Sequence, residues 1–239
     1  MDNTTRGPSP IYLLAGGGRS TRRNGDALLT QALASSGVPH PSVAYVGAAS
    51  DDDESFFQML SHSMRRCGAG QVTLAPLVGR RARPEKARAI LDAADMVFIS
   101  GGDVEAGMEV LEEKQVLPFL RQIYEGGRSF LGISAGSIML AMQWILWEDP
   151  DDNTTASVFP CMGFAPLLCD THGEAEGWEE LQSLLRMAPD GTLGYGIPSG
   201  AGLRVGLNGT LEAMGDPVHR YTHQAGKVVR VADLPPQRP

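Results

Sequence analysis

From residue 11 to residue 133 short apolar runs alternate with amphipathic segments, and glycine-rich turns separate them. Residues 11–15 predict a strand that ends in Gly16-Gly17-Gly18, and residues 27–34 carry a helical pattern. Residues 43–46 predict a second strand. A helix over 55–66 follows, with Asp51-Asp52-Asp53-Glu54 at its start, where acids suit the helix dipole. A third strand is expected over 72–78, a helix over 85–94 and a fourth strand over 96–99, which ends in Gly101-Gly102-Asp103. Residues 104–124 read as helical with an interruption at Pro118, and residues 130–133 as a fifth strand.

Continuous apolar strands alternating with helices predict a three-layer α/β fold. Its sheet is mostly parallel and doubly wound, of the flavodoxin-like kind, with both faces covered. In such sheets sites form outside the carboxyl ends of the strands. The glycine-rich turns after the first, fourth and fifth strands fall on that edge. Beyond residue 145 the rhythm changes: a helix over 178–187, short strands over 193–197, 203–207 and 228–231, and a hairpin turn at Asn208-Gly209. No internal repeat, low-complexity segment or linker is visible. A single domain, 1–239, is expected, with 1–10 and 234–239 as loose tails.

Composition narrows the class. A net charge of −8 and a pI near 5.1 argue against nucleic acid or an anionic membrane as partner. Cys67, Cys161 and Cys169 are odd in number and widely spaced, which points to a reducing cytoplasm rather than a disulfide framework. No apolar run reaches membrane-spanning length, and the first ten residues lack an apolar signal core. No spacing supports a metal site and no cofactor is expected. The Gly16–Ser20 turn lacks the ending of a phosphate loop, and the methionines and Phe56-Phe57 read as core.

The chemistry concentrates at Gly132-Ile133-Ser134-Ala135-Gly136, where an apolar strand passes into a helix-like pattern. This is the Gly-x-Ser-x-Gly form of a nucleophile elbow, a serine on a tight strand-to-helix turn. A serine needs a base, and the base needs an acid to orient it. His40 and His62 precede the elbow and read as surface residues. His172, shortly after an apolar run over 164–168 that reads as a strand, and His223 are comparable candidates. For the acid, Glu148-Asp149-Pro150-Asp151-Asp152 follows an apolar stretch that predicts a partly buried start, and Asp170 is an alternative.

Four segments in order resemble the peptidase E and cyanophycinase family of serine peptidases. They are Gly101-Gly102-Asp103, Gly132 to Ser137, Asp170-Thr171-His172 and Gly196 to Leu203. The resemblance implies a fold related to class I glutamine amidotransferase domains. It also implies Ser134 as nucleophile, His172 as base and, by spacing from the serine, Asp149 or its neighbour Glu148 as acid, with Asp152 also possible. Gly102 and Ala135 would supply the oxyanion-hole N–H groups. Gly17, Arg19, Asp103 and Ser199 are candidates for contacting substrate, Arg19 through a carboxylate. The chain departs from the family by placing Glu174, Glu176, Glu179 and Glu180 where arginines often follow the base, and Ser199 where an acid often stands. No strong preference for an N-terminal aspartate is therefore expected. The expected substrate is a short peptide or other small amide. Two other readings stay open: an α/β-hydrolase-type esterase with a late histidine, and a non-catalytic small-molecule binder.

Overall fold

The computed structural model describes residues 8–16, 22–149 and 152–236. Among these residues the main sheet has seven strands. Parallel to one another run β1 (Ile11–Leu14), β2 (Val43–Val46), β3 (Val72–Ala75), β4 (Met96–Ile99) and β5 (Ser129–Ile133). Their order is β3-β2-β4-β5-β1, so β1 closes the parallel set and does not sit inside it as in flavodoxin. Antiparallel β10 (Gly202–Val205) and β11 (Leu211–Met214) extend the sheet beyond β1.

The strands are apolar on both sides because both sides are covered. Tyr12 and Leu14 of β1 pack with Leu28 and Leu33 of α1 (Arg22–Ala34) and Phe57 and Met64 of α2 (Glu54–Arg66). Ile11 and Leu13 face the opposite core. That core holds Leu91 of α3 (Pro84–Ala93), Leu111 of α4 (Val104–Glu113), Leu120 of α5 (Leu117–Glu125) and Met139 of α6 (Ala135–Leu140). The interruption expected at Pro118 is real. Pro118 stands in the first turn of α5, where its missing N–H costs no hydrogen bond.

Apart from β10 and β11, the strands beyond α6 form two further sheets. β6 (Gln143–Trp147) and β7 (Ala156–Pro160) form a hairpin. A four-stranded sheet holds β8 (Leu168–Thr171), β9 (Leu193–Ile197), β12 (Val218–Gln224) and β13 (Lys227–Leu234), in the order β13-β12-β9-β8. α7 (Glu179–Met187) packs on it through Leu181, Leu184 and Leu185, beside Trp178 and Tyr221. The apolar run over 164–168 is not the expected strand. Phe164 leaves the sheet to stack on Tyr124, ring centroids 4.9 Å apart, and the strand begins only at Leu168. No helix among the described residues is long and apolar enough to cross a membrane.

Candidate active site

β5 delivers Ser134 to the sheet's carboxyl edge in a conformation L-residues avoid, φ 53° and ψ −127°. Several contacts hold it there. The Ser134 N–H donates to the Leu14 carbonyl at 2.9 Å, and the Ser137 hydroxyl donates to the same oxygen at 2.8 Å. Gly136 lies so near β4 that a Cβ there would sit 2.1 Å from the Ile99 carbonyl oxygen. A Cβ on Gly132 would sit 2.6 Å from the Gly136 oxygen. Both glycines of the elbow are thus required by close backbone approach.

His172 arrives from the other sheet, directly after β8. Its backbone N–H donates to Ile197 of β9 at 2.9 Å, and its φ of 48° turns the chain out of the strand. The imidazole Nε2 lies 2.8 Å from Ser134 Oγ. When the hydroxyl donates, Nε2 is the unprotonated nitrogen, as a general base requires. His223 bonds the Ala188 carbonyl through Nδ1 at 2.7 Å and lies 3.4 Å from Asp190. His219 packs edge-on against Trp178, and burial followed by the Arg230 charge pulls its pKa down. His40 and His62 are exposed, as expected. Of the five histidines only His172 meets Ser134 among the described residues.

The structure does not bring the expected acids to His172. Among the described residues the imidazole's hydrogen bond is to Ser134 alone. Glu148 and Asp149 are exposed in the connection between β6 and β7, contrary to the partly buried start the sequence suggests. There the Asp149 backbone is tied on both sides to Thr155 Oγ1, at 3.1 and 3.0 Å. Asp152 accepts the Thr154 N–H and hydroxyl, which hold its carboxyl below the usual range. The cause is the hairpin, in whose connection Glu148, Asp149 and Asp152 are exposed.

Two other carboxylates flank the histidine. Asp170, on β8, is 3% exposed. Burial first, and then the charge of Glu180, push its carboxyl up to about 7, against the Thr171 N–H bond that lowers it. Glu174 accepts the Ser199 N–H at 2.5 Å and so ties the loop after the base to the loop after β9. Sequence reasoning missed this tie, because it joins residues 25 apart whose loops meet only once β8 and β9 have paired.

A cleft of about 520 Å³ opens over Ser134 and His172. Gly16, Gly101, Gly102 and Ser199 line it with Ile133, and α2 adds Phe56, Met59 and Leu60. Phe56, read as core from the sequence, is therefore partly a cleft wall, while Phe57 is core. Gly102 has φ 141°, and a Cβ there would lie 1.8 Å from the Ala49 carbonyl oxygen, so glycine is obligatory. Neither the Gly102 nor the Ala135 N–H is used in a hydrogen bond among the described residues. Gly17 and Arg19, expected near substrate, lie outside the described residues. Asp103 caps α4 by accepting the Ala106 N–H at 2.9 Å. No group of three or more His, Cys, Asp or Glu could hold a metal among the described residues.

A serine hydroxyl held in strain against an imidazole at a sheet edge belongs to acyl-transfer chemistry, and the chain is a serine hydrolase. More narrowly, it belongs to peptidase family S51, whose model matches residues 12–210. Two solved structures are similar in fold. One is a peptidase from an acI-B1 Actinobacterium, 15% identical, with a TM-score of 0.67 over 97% of this chain and 98% of that one. The other is a peptidase E-type protein from Listeria monocytogenes EGD-e, 12% identical, with a TM-score of 0.63 over 87% of this chain and 98% of that one. No curated protein matches in sequence.

Proposed function

We propose that this serine peptidase hydrolyses short peptides, with Ser134 as nucleophile and His172 as general base. The observation that carries the reading is the 2.8 Å contact between Ser134 Oγ and His172 Nε2 on a strained elbow. His172 takes the hydroxyl proton as Oγ attacks the peptide carbonyl. The oxyanion then finds the unused N–H groups of Gly102 and Ala135, each such donor lowering a barrier by roughly 3 kcal/mol. The imidazolium returns the proton to the leaving amine. Water repeats the sequence on the acyl-enzyme and frees the acid. In place of Asp149, we assign the field that favours the imidazolium to Asp170 and Glu174, two residues either side of the base. The cleft volume supports a small substrate, since about 300–1,000 Å³ is the range of small-ligand sites.

A dipeptide library incubated with native protein and with Ser134→Ala tests this. Cleavage by the native protein alone is expected. Equal cleavage by both would remove Ser134 from the mechanism.

A further inference from the structure

The Gly101-Gly102 turn is carried by a second turn, Ala48–Ser50, which follows the neighbouring strand β2. Ala48 and Ala49 are buried beneath it. The Ser100 N–H donates to the Val46 carbonyl at 3.0 Å, and the Asp103 N–H to the Ala49 carbonyl at 2.7 Å. These two bonds bracket the glycine pair. The far end of the second turn is tied down by Asp52, whose Oδ2 accepts the N–H groups of Leu77 and Val78 at 2.7 and 2.8 Å. Asp52 therefore braces a turn, while Asp53 caps α2 by accepting the Phe56 N–H.

The peptide unit between the two glycines faces both ways. Its carbonyl belongs to Gly101, which is buried, and its N–H to Gly102, which is exposed. Ser100, 0% exposed, donates its hydroxyl to that carbonyl at 3.3 Å. Among the described residues the carbonyl accepts no other hydrogen bond. The Ser50 hydroxyl lies 3.2 Å from the Ser100 hydroxyl. A hydroxyl has one proton to give, so once Ser100 donates to Gly101, Ser50 is the donor within the pair. The carbonyl and N–H of a trans peptide point in opposite directions. A carbonyl held inward by Ser100 thus turns the Gly102 N–H outward, where Gly102 lines the cleft over Ser134. Crowding by Ala49 makes glycine obligatory at 102, yet glycine tolerates the flipped peptide as readily as the observed one. The backbone alone does not choose between them; the buried hydroxyl does.

We propose that Ser100, supported by Ser50, is a positioning residue whose hydroxyl fixes the face of the Gly101–Gly102 peptide and so aims the Gly102 N–H at the oxyanion. The assignment rests on Ser134 being the nucleophile and on the Gly102 N–H meeting the oxyanion. Neither Ser50 nor Ser100 lines the cleft, so both act through the peptide and not on the substrate. Donors aimed in advance stabilise a developing charge without a reorganisation cost at the moment of reaction. Without the Ser100 hydroxyl the buried Gly101 carbonyl loses its partner, which favours a turned peptide. A flipped peptide offers the oxyanion a carbonyl oxygen in place of an N–H, so repulsion replaces attraction.

Labelling by an alkyl fluorophosphonate reads this step without a known substrate. Ser134 Oγ attacks phosphorus, fluoride leaves, and the phosphoryl oxygen takes the oxyanion's place during the attack. Its concentration dependence separates kinact from KI. Ser100→Ala should lower kinact by about tenfold to a hundredfold and leave KI within about twofold. Ser100→Cys keeps the side-chain volume but donates weakly, and it should fall with Ser100→Ala. Ser50→Ala, at a half-buried position, should lose about threefold or more in kinact. Circular dichroism shows which variants fold, and Ser50→Ala decides the matter if the Ser100 variants do not. Native kinact in folded Ser100→Ala, or in Ser50→Ala when the Ser100 variants fail to fold, would overturn the positioning role and leave Ser134 as nucleophile. A loss in Ser100→Ala that Ser100→Cys escapes would also overturn it, because packing and not donation would be the cause. Labelling that survives in Ser134→Ala would instead overturn the catalytic reading on which the assignment rests.

Discussion

Ser134→Gly will leave the protein more stable than Ser134→Ala, though neither variant can turn over substrate. Both substitutions delete the hydroxyl and its 2.8 Å contact with His172, so that loss cancels between them. The backbone remains as the difference. At φ 53° and ψ −127° any residue with a Cβ is strained. A side chain held in such a region costs about 1–3 kcal/mol. Glycine escapes that cost but gives about 0.4–1 kcal/mol back through the larger entropy of its unfolded chain. A net gain of about 0.5–2 kcal/mol for glycine over alanine follows. For a chain of this length that is about 1–8 °C in melting temperature. Scanning calorimetry of the two variants, with urea titration to check that the m-value is unchanged, reads the difference. A glycine variant that melts at or below the alanine variant would refute the claim that the elbow stores strain at the nucleophile.

Other outcomes follow from the same geometry. His172→Ala should lower kcat by roughly three to six powers of ten in steady-state peptide hydrolysis, while His223→Ala, bonded to Ala188 and Asp190, stays within about threefold. Asp149→Asn should also stay within about threefold, because Asp149 is exposed in the β6–β7 connection; a loss of a hundredfold or more would return the acid to that connection. Asp170→Asn should stabilise the fold at pH 8. The raised carboxyl penalises folding wherever the unfolded chain ionises and the folded one does not. The penalty is absent below about pH 4, grows between about 4 and about 7, and is constant above, with a ceiling near about 4 kcal/mol. Urea unfolding at pH 4 and pH 8 checks the sign: the advantage of Asp170→Asn must be larger at pH 8.

The parallel half of the fold was legible because its signals are local. β1, β2, β4 and β5 are short, largely apolar runs buried on both faces, while β3 at the sheet edge carries Thr73 and is only partly buried at its centre. Their ends were read long where apolar residues run on past the ladder, as at Pro76-Leu77-Val78. There Leu77 is buried in a loop and both it and Val78 donate backbone N–H groups to Asp52. The second half was less legible because its order comes from distant partners. β12 mixes Arg220, His219 and His223 with Tyr221 and becomes a strand by pairing with β9 and β13. β6 reads as an apolar run of ambiguous type until β7 pairs with it. β8 conceals itself by carrying Asp170 and Thr171 at fully buried positions. At the site, the elbow was legible because its two glycines encode close approach. Asp170 was legible only as an alternative acid, and its meeting with Glu174 and Glu180 was not, since these residues converge only after β8, β9 and α7 have packed.

Covalent labelling tests the central claim most directly. Native protein treated with a fluorophosphonate, digested and sequenced by mass spectrometry should carry one adduct, on Ser134. Labelling should vanish in Ser134→Ala and slow sharply in His172→Ala, since a serine without its base is a poor nucleophile. An adduct on another residue, or undiminished labelling of Ser134→Ala, would contradict the assignment of Ser134 as the nucleophile.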